Sequence, residues 1–277
     1  MSNPITYTSA TALLRDAGVA SAAYEARLLI SEFCGVDPSE LLAHPEKEYE
    51  SEALEGALRQ RSERYPLQYI LGRVGFRECS FRVTEDTLIP RPDTELLVEY
   101  AVSRLPENAC FADLCTGSGC VAISALFERP DVHGVATDIS AAALAIASEN
   151  AKSNGVDTRL EIICEDLRIP SAILKHAPFD AILSNPPYIR SSDLCSLEKE
   201  LDFEPRIALD GGGDGLEIYR AILDIYPPLL AAQGFIALEI GYDQEEAIQQ
   251  LARQRSMNCT VLRDYGANPR VAVITKN

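Results

Sequence analysis

Through residues 1–72 apolar side chains recur at helical spacing. In Ala22–Cys34, the positions Ala26, Leu29, Ile30 and Phe33 fall on one face, and Gly35 supplies the left-handed stop that often ends such a helix. A second helical run follows Ser51, with Leu54, Ala57 and Leu58 on its face. Over residues 73–88 the pattern shortens to alternating stretches around Gly75, with Phe81 and Val83 in register, which predicts a hairpin-like linker. The segment Ile89-Pro90-Arg91-Pro92-Asp93 then marks a boundary, because two prolines oppose a continuing helix and Asp93 suits the N-cap of the next one. The chain therefore reads as a helical unit over 1–72, a linker over 73–88 and a larger unit over 89–277.

In the larger unit strands and helices alternate. Helix 93–105, strand Cys110–Cys115, helix 120–128, strand Gly134–Ile139 and helix 140–154 come first, the last with Ser140 as N-cap and Gly155 as stop. Strands follow at Leu160–Cys164, Ala181–Ser184, Phe235–Ile240, Cys259–Leu262 and Val271–Thr275, with helices near 215–232 and 243–254. Such alternation predicts an α/β fold with a mostly parallel seven-stranded sheet covered on both faces. Only a short turn, Asp264–Pro269, joins the last two strands, so they should form an antiparallel hairpin at one edge. Ligands in such sheets sit at the carboxyl ends of the strands.

Composition narrows the function. The 277 residues are 47% hydrophobic and 24% charged, which excludes a disordered chain. Residues 1–88 hold 9 basic against 14 acidic side chains and residues 89–277 hold 16 against 28, so neither part has the balance of a nucleic-acid binder. The eight cysteines include no C-x-x-C pair and there are three histidines, so no zinc site is expected. The cysteines read as small buried hydrophobes in a reducing compartment. With neither a signal-like N-terminus nor a long apolar run, the expectation is a cytoplasmic protein without membrane contact.

Two stretches carry candidate cofactor chemistry. Asp113-Leu114-Cys115-Thr116-Gly117-Ser118-Gly119 is a strand-to-helix turn whose glycines let backbone amides approach a ligand. At the end of the next strand, Asp138 is placed to accept from both hydroxyls of a ribose. An ordinary turn with a surface aspartate is the bland alternative, and Gly117-x-Gly119-x-x-Ala122 also satisfies a dinucleotide fingerprint. Charge separates the cofactors. A carboxylate at Asp113 opposes a pyrophosphate but suits the ammonium of S-adenosylmethionine.

A third stretch, Asn185-Pro186-Pro187-Tyr188, follows the apolar strand that ends at Ser184. Its prolines stop the ladder, so an Asn oxygen and a free backbone carbonyl can both accept from one planar NH2 while Tyr188 packs on its face. A rigid turn with a packed tyrosine is the plainer reading. The tetrapeptide resembles that of amino-methyltransferases acting on planar nitrogen, on adenine N6 of DNA or on glutamine N5 of proteins. Three further stretches, Leu88–Glu95, Phe203-Glu204-Pro205 with Ala208-Leu209, and Arg263–Gly266 with Arg270-Val271, resemble the peptide-chain release factor glutamine methyltransferases (PrmC/HemK family). With the helical N-terminal part, the resemblance spans nearly the whole chain.

The resemblance implies a class I S-adenosylmethionine-dependent methyltransferase fold and methylation of a release-factor glutamine, that of a Gly-Gly-Gln motif, in translation termination. S-adenosyl-L-methionine would be converted to S-adenosyl-L-homocysteine without a metal. Cys115, Thr116, Gly117, Ser118 and Gly119 would hold the methionine part beside Asp113, Asp138 the ribose, and Asp166 with Leu167 the adenine region. Asn185 would bind the target amide beside the methyl, Pro186, Pro187 and Tyr188 would complete the substrate pocket, and residues 1–72 would recognise the protein substrate. One departure stands out: where the family's turn begins with glycine this chain has Cys115, so the backbone must avoid the left-handed region or strain there. Three rival readings are an adenine-N6 DNA methyltransferase, which the charge balance disfavours, an NAD-dependent oxidoreductase, and a translation-associated binding module with a vestigial site.

Overall fold

The computed structural model describes residues 4–277, so residues 1–3 of the expected N-terminal unit lie outside it. The chain divides into two compact units: residues up to Arg73 together with Glu198–Phe203, and Val74–Leu197 together with Glu204–Asn277.

Among the described residues the first unit contains five α-helices, α1 (Tyr7–Asp16), α2 (Ala22–Cys34), α3 (Pro38–Ala43), α4 (Glu52–Ser62) and α5 (Leu67–Leu71). Side-chain caps begin three of them: Thr6, Asp37 and Ser51 each accept a first-turn amide. Gly35 ends α2 in the left-handed conformation. Leu14, Leu29, Ile30, Leu41 and Leu54 form its core without exposure. The distant segment Glu198–Phe203 joins this unit through Glu200, which accepts from Arg61 Nη1 at 3.1 Å and Arg64 Nε at 2.6 Å, and Arg61 Nε also donates to Glu25 at 2.5 Å.

The second unit begins with a hairpin, β1 (Arg73–Phe76) and β2 (Cys79–Arg82), and continues through α6 (Glu95–Arg104), β3 (Cys110–Leu114), α7 (Cys120–Glu128), β4 (His133–Asp138), α8 (Ala141–Ser153), β5 (Leu160–Cys164), β6 (Phe179–Ser184), α9 (Arg206–Leu209), α10 (Glu217–Ile225), β7 (Leu230–Glu239), α11 (Glu245–Gln254), β8 (Met257–Arg263) and β9 (Pro269–Lys276). Seven strands form one sheet in the order β5-β4-β3-β6-β7-β9-β8. All pairings are parallel except those of β9 with β7 and with β8. The period-two alternation of β3 sends Phe111 into the core under α6 and α7, and Ala112 and Leu114 into the core under α10 and α11. β3 lies between β4 and β6, so the strand order reverses beside its carboxyl end, where this architecture opens a crevice.

Four local expectations are corrected. The hairpin expected over residues 73–88 forms as β1 and β2, but it is packed and not a linker, because Phe76, Cys79 and Phe81 are buried in the same core as Leu97 and Phe111, and the Phe76 and Phe81 rings meet edge-on at 6.0 Å. Asp93 caps no helix: its carboxylate meets Arg270 Nη2 at 3.0 Å, and Thr94 occupies the N-cap of α6. The helix expected to run to residue 232 ends at Ile225, before Pro227 and Pro228, and β7 starts at Leu230. Of the eight cysteines, all unpaired, only Cys79 is buried as a whole residue, Cys164 and Cys195 are exposed, and the rest are half-buried with some of their thiols, that of Cys120 among them, held away from solvent.

Candidate active site

At the carboxyl end of β3 the chain turns sharply into α7. Cys115, Gly117 and Gly119 all take positive φ, of 57°, 55° and 84°. Two of these positions are glycines, for which this conformation carries no steric cost, whereas at Cys115 the left-handed backbone costs about 1–3 kcal/mol. The strained alternative foreseen for Cys115 is therefore the one adopted. The neighbouring strand holds the turn in place: Thr116 N donates to Thr137 O at 3.0 Å, and Gly117 N donates to Asp138 Oδ2 at 2.9 Å. Gly119 is needed for a second reason, since a Cβ there would lie 2.7 Å from Ile123 Cδ1 and 3.3 Å from Ala147 Cβ.

Asp113, 1% exposed, accepts from Thr116 Oγ1 at 2.6 Å and Ala122 N at 3.2 Å through Oδ2, while its buried Oδ1 has no partner among the described residues. Burial pushes this carboxyl up to about 7, because nothing offsets the desolvation at Oδ1. Burial also raises Asp138, whose Oδ1 accepts Ser140 N at 2.9 Å as Ser140 caps α8. In the loop after β5, a hydrogen bond from Arg168 holds Asp166 below the usual carboxylate range, and buried Leu167 accepts from Tyr226 Oη at 3.1 Å.

The prolines after Asn185 end β6, as the pattern predicts. Asn185 Nδ2 donates to Thr94 Oγ1 at 3.2 Å. Among the described residues nothing donates to Asn185 Oδ1 or to the Pro186 carbonyl. The glycine run after Asp210 lies directly against this tetrapeptide: a Cβ on Gly211 would sit 2.7 Å from Tyr188 Cα and 2.8 Å from Pro187 O.

These ends of β3, β4, β5 and β6 enclose a cavity of about 610 Å³, within the range ligand pockets occupy. Asp113, Cys115, Thr116, Gly117 and Ser118 line it, as do Asp138, Asp166, Leu167, Asn185 and Pro187. Three predicted site residues stand off its wall. Gly119 serves the turn, and Pro186 lies outside the lining. Tyr188 packs against the core under α10 and donates its hydroxyl to Glu239 Oε1 at 3.4 Å.

Residues 6–72 match the family profile described as the PrmC N-terminal domain, and residues 92–215 match the methyltransferase small domain. A release factor glutamine methyltransferase of Caulobacter vibrioides is 36% identical, covering 98% of this chain and 95% of its own. One from Cereibacter sphaeroides is 41% identical over 93% of this chain and 92% of its own, and one from Moorella thermoacetica 41% identical over 91% of each. The chain belongs to the release factor glutamine methyltransferase family. Among solved structures, the hMettl16 catalytic domain (14% identity, TM-score 0.59, covering 79% of this chain and 80% of that one) shares its fold. So does a methyltransferase from Pyrococcus furiosus (17% identity, TM-score 0.53, covering 72% and 89%).

In this chain the three stretches that carried the resemblance hold one another. Glu204 accepts from Ile89 N at 3.1 Å and forms an ion pair with Arg91, while Arg270 bridges Asp93 at 3.0 Å and Asp264 at 3.3 Å. No sequence motif gives a part to Thr94, Glu239 or the glycines after Asp210. For Glu239 a signal exists: it is the acidic residue in the otherwise apolar run Phe235–Ile240, and charged residues are seldom fully buried without a partner.

Proposed function

We propose that the protein transfers a methyl group from S-adenosyl-L-methionine to the side-chain amide nitrogen of a glutamine in a peptide-chain release factor, the glutamine of a Gly-Gly-Gln motif, acting as a soluble enzyme on a protein substrate. One observation carries this reading: the unpartnered Oδ1 of Asp113 and the unclaimed Oδ1 of Asn185 belong to residues lining a single cavity.

The residues present fit the methyl donor. A buried carboxylate oxygen without a partner suits the donor's ammonium, the Cys115–Gly119 turn suits its methionine part, Asp138 suits the ribose, and Asp166 with Leu167 suits the adenine region. Bound there, S-adenosylmethionine supplies an electrophilic sulfonium methyl. The glutamine nitrogen is a weak nucleophile because its lone pair is delocalised into the carbonyl. Asn185 Oδ1, on the cavity wall, accepts one of its two hydrogens, and the unclaimed Pro186 carbonyl next in the chain, which the cavity stops short of, accepts the other as the substrate seats, which orients the lone pair and stabilises the positive charge that grows on nitrogen. After alkylation the nitrogen is acidic and its proton leaves to solvent. Catalysis then rests on orientation and electrostatics. The helical unit recognises the protein partner, whose affinity needs a broad surface rather than a pocket.

The test is incubation with labelled S-adenosylmethionine and purified release factors, with mass spectrometry locating the methyl group. Transfer to a glutamine amide supports the reading, and transfer to any other group, or none, overturns it. Asn185→Ala should lower kcat about 100-fold or more while cofactor affinity changes much less.

A further inference from the structure

Behind Asn185 lies a chain of buried polar groups that do not line the cavity apart from Thr94. Glu239, at the end of β7, and Thr94, at the start of α6, are each 1% exposed. Thr94 Oγ1 donates to Glu239 Oε2 at 2.6 Å and accepts from Asn185 Nδ2 at 3.2 Å. A hydroxyl has one hydrogen. Once it is given to a carboxylate, which only accepts, the oxygen has nothing but lone pairs left for its other neighbour. The Asn185 amide can meet those lone pairs only with its NH2 edge, so its carbonyl edge is left for an incoming NH2.

We propose that Glu239 is a positioning residue for methyl transfer: acting through Thr94, it fixes the Asn185 amide with Oδ1 available to the substrate amide. This rests on the role given to Asn185 under Proposed function. Protonation of Glu239 undoes this arrangement. A protonated Glu239 donates to Thr94, the Thr94 hydrogen is released toward Asn185, and the amide is then equally satisfied when flipped, with its NH2 presented to the substrate NH2. A flipped amide repels the group it should bind.

The groups around Glu239 leave it as the one to titrate. Tyr188 Oη lies 3.4 Å from Oε1, and Tyr219 Oη donates to the Glu239 backbone carbonyl at 2.8 Å. Burial pushes both phenols above their usual range, and pushes the Cys120 thiol, which also senses Glu239, up to about 12, so all three stay neutral. Arg270 favours the carboxylate, Asp93 opposes it, and burial prevails, raising Glu239 to about 7.

The experiment is steady-state methylation of intact release factor by the full-length enzyme, as wild type, Thr94→Val, Thr94→Ser, Glu239→Gln and Asn185→Ala, across roughly pH 6 to 9. For Thr94→Val, kcat should fall about 10-fold or more, with KM for the release factor and Kd for S-adenosylmethionine within about 3-fold, and Thr94→Ser should recover most of the rate. Wild-type kcat should drop on the acid side as Glu239 gains its proton, and that limb should be missing from Glu239→Gln, which has no such proton to gain. Wild-type kcat in Thr94→Val beside an inactive Asn185→Ala would overturn the positioning role alone. A fully active Asn185→Ala would instead overturn the reading it rests on. Should Thr94→Val lose cofactor binding through misfolding, the Glu239→Gln profile decides: an unchanged acid limb there overturns the proposal.

Discussion

The Asp138 carboxylate accepts the Gly117 amide at 2.9 Å, so the end of β4 holds the turn that leaves β3. The residue expected to bind a ribose is thus also part of the frame of the neighbouring loop. Asp138→Ala should weaken S-adenosylmethionine binding by about 1.5–3 kcal/mol through lost charged hydrogen bonds. It should also make the turn more mobile in the absence of cofactor. Calorimetry for the affinity and amide exchange at Gly117 for the turn would check both, and unchanged affinity would refute the ribose role.

Cys115 provides a test of backbone strain. With φ at 57°, glycine is the least strained occupant, and a β-branched side chain the most. Cys115→Val should be less stable than Cys115→Gly by about 1–3 kcal/mol, while Cys115→Gly should bind the cofactor at least as well as the wild type. Urea unfolding of the two variants measures the first quantity. Equal stabilities would mean that backbone strain does not govern this position.

Asp113 makes the protein's stability and its cofactor binding respond to pH in opposite senses. Its folded-state carboxyl is raised to about 7 from 3.8, so the folded state binds the proton more tightly than the unfolded state. The stabilisation this provides without cofactor is complete below about pH 4 and is lost as pH rises toward 7. An ammonium at Oδ1 requires the carboxylate, so cofactor affinity should rise over the same interval, by up to about tenfold per pH unit at about pH 6 and below, levelling off above 7. In Asp113→Asn both trends should flatten. Binding isotherms from pH 5.5 to 8.5 would detect this, and a wild-type slope persisting in the variant would assign the proton elsewhere.

Phe81 tests whether the β1–β2 hairpin belongs to the methyltransferase unit. It is fully buried, edge-on to Phe76. Phe81→Ala should cost about 3–5 kcal/mol of stability through lost burial and a cavity. A loss below 1 kcal/mol in chemical denaturation would restore the reading of residues 73–88 as a linker.

Local periodicity and turn chemistry were enough to determine most of the elements of this protein. Helix α7 runs from Cys120 to Glu128 and β5 from Leu160 to Cys164, at the bounds the pattern predicts, and Ser140 and Gly35 act as the cap and stop their chemistry suggests. These features depend on neighbours in the chain, as do the turn at Cys115–Gly119 and the strand end at Asn185, so they were legible before any fold was known. What the tertiary structure alone decided are the relations between residues far apart in sequence. Asp93 turned from a helix cap into the partner of Arg270, and Tyr188 turned away from the cavity toward Glu239. The orientation of the Asn185 amide depends on Thr94 and Glu239, 91 residues from Asn185 in the first case and 145 residues from Thr94 in the second. A hydrogen bond over such a separation leaves no periodic trace in the sequence, because it exists only when the sheet order brings β6 and β7 together beneath the start of α6.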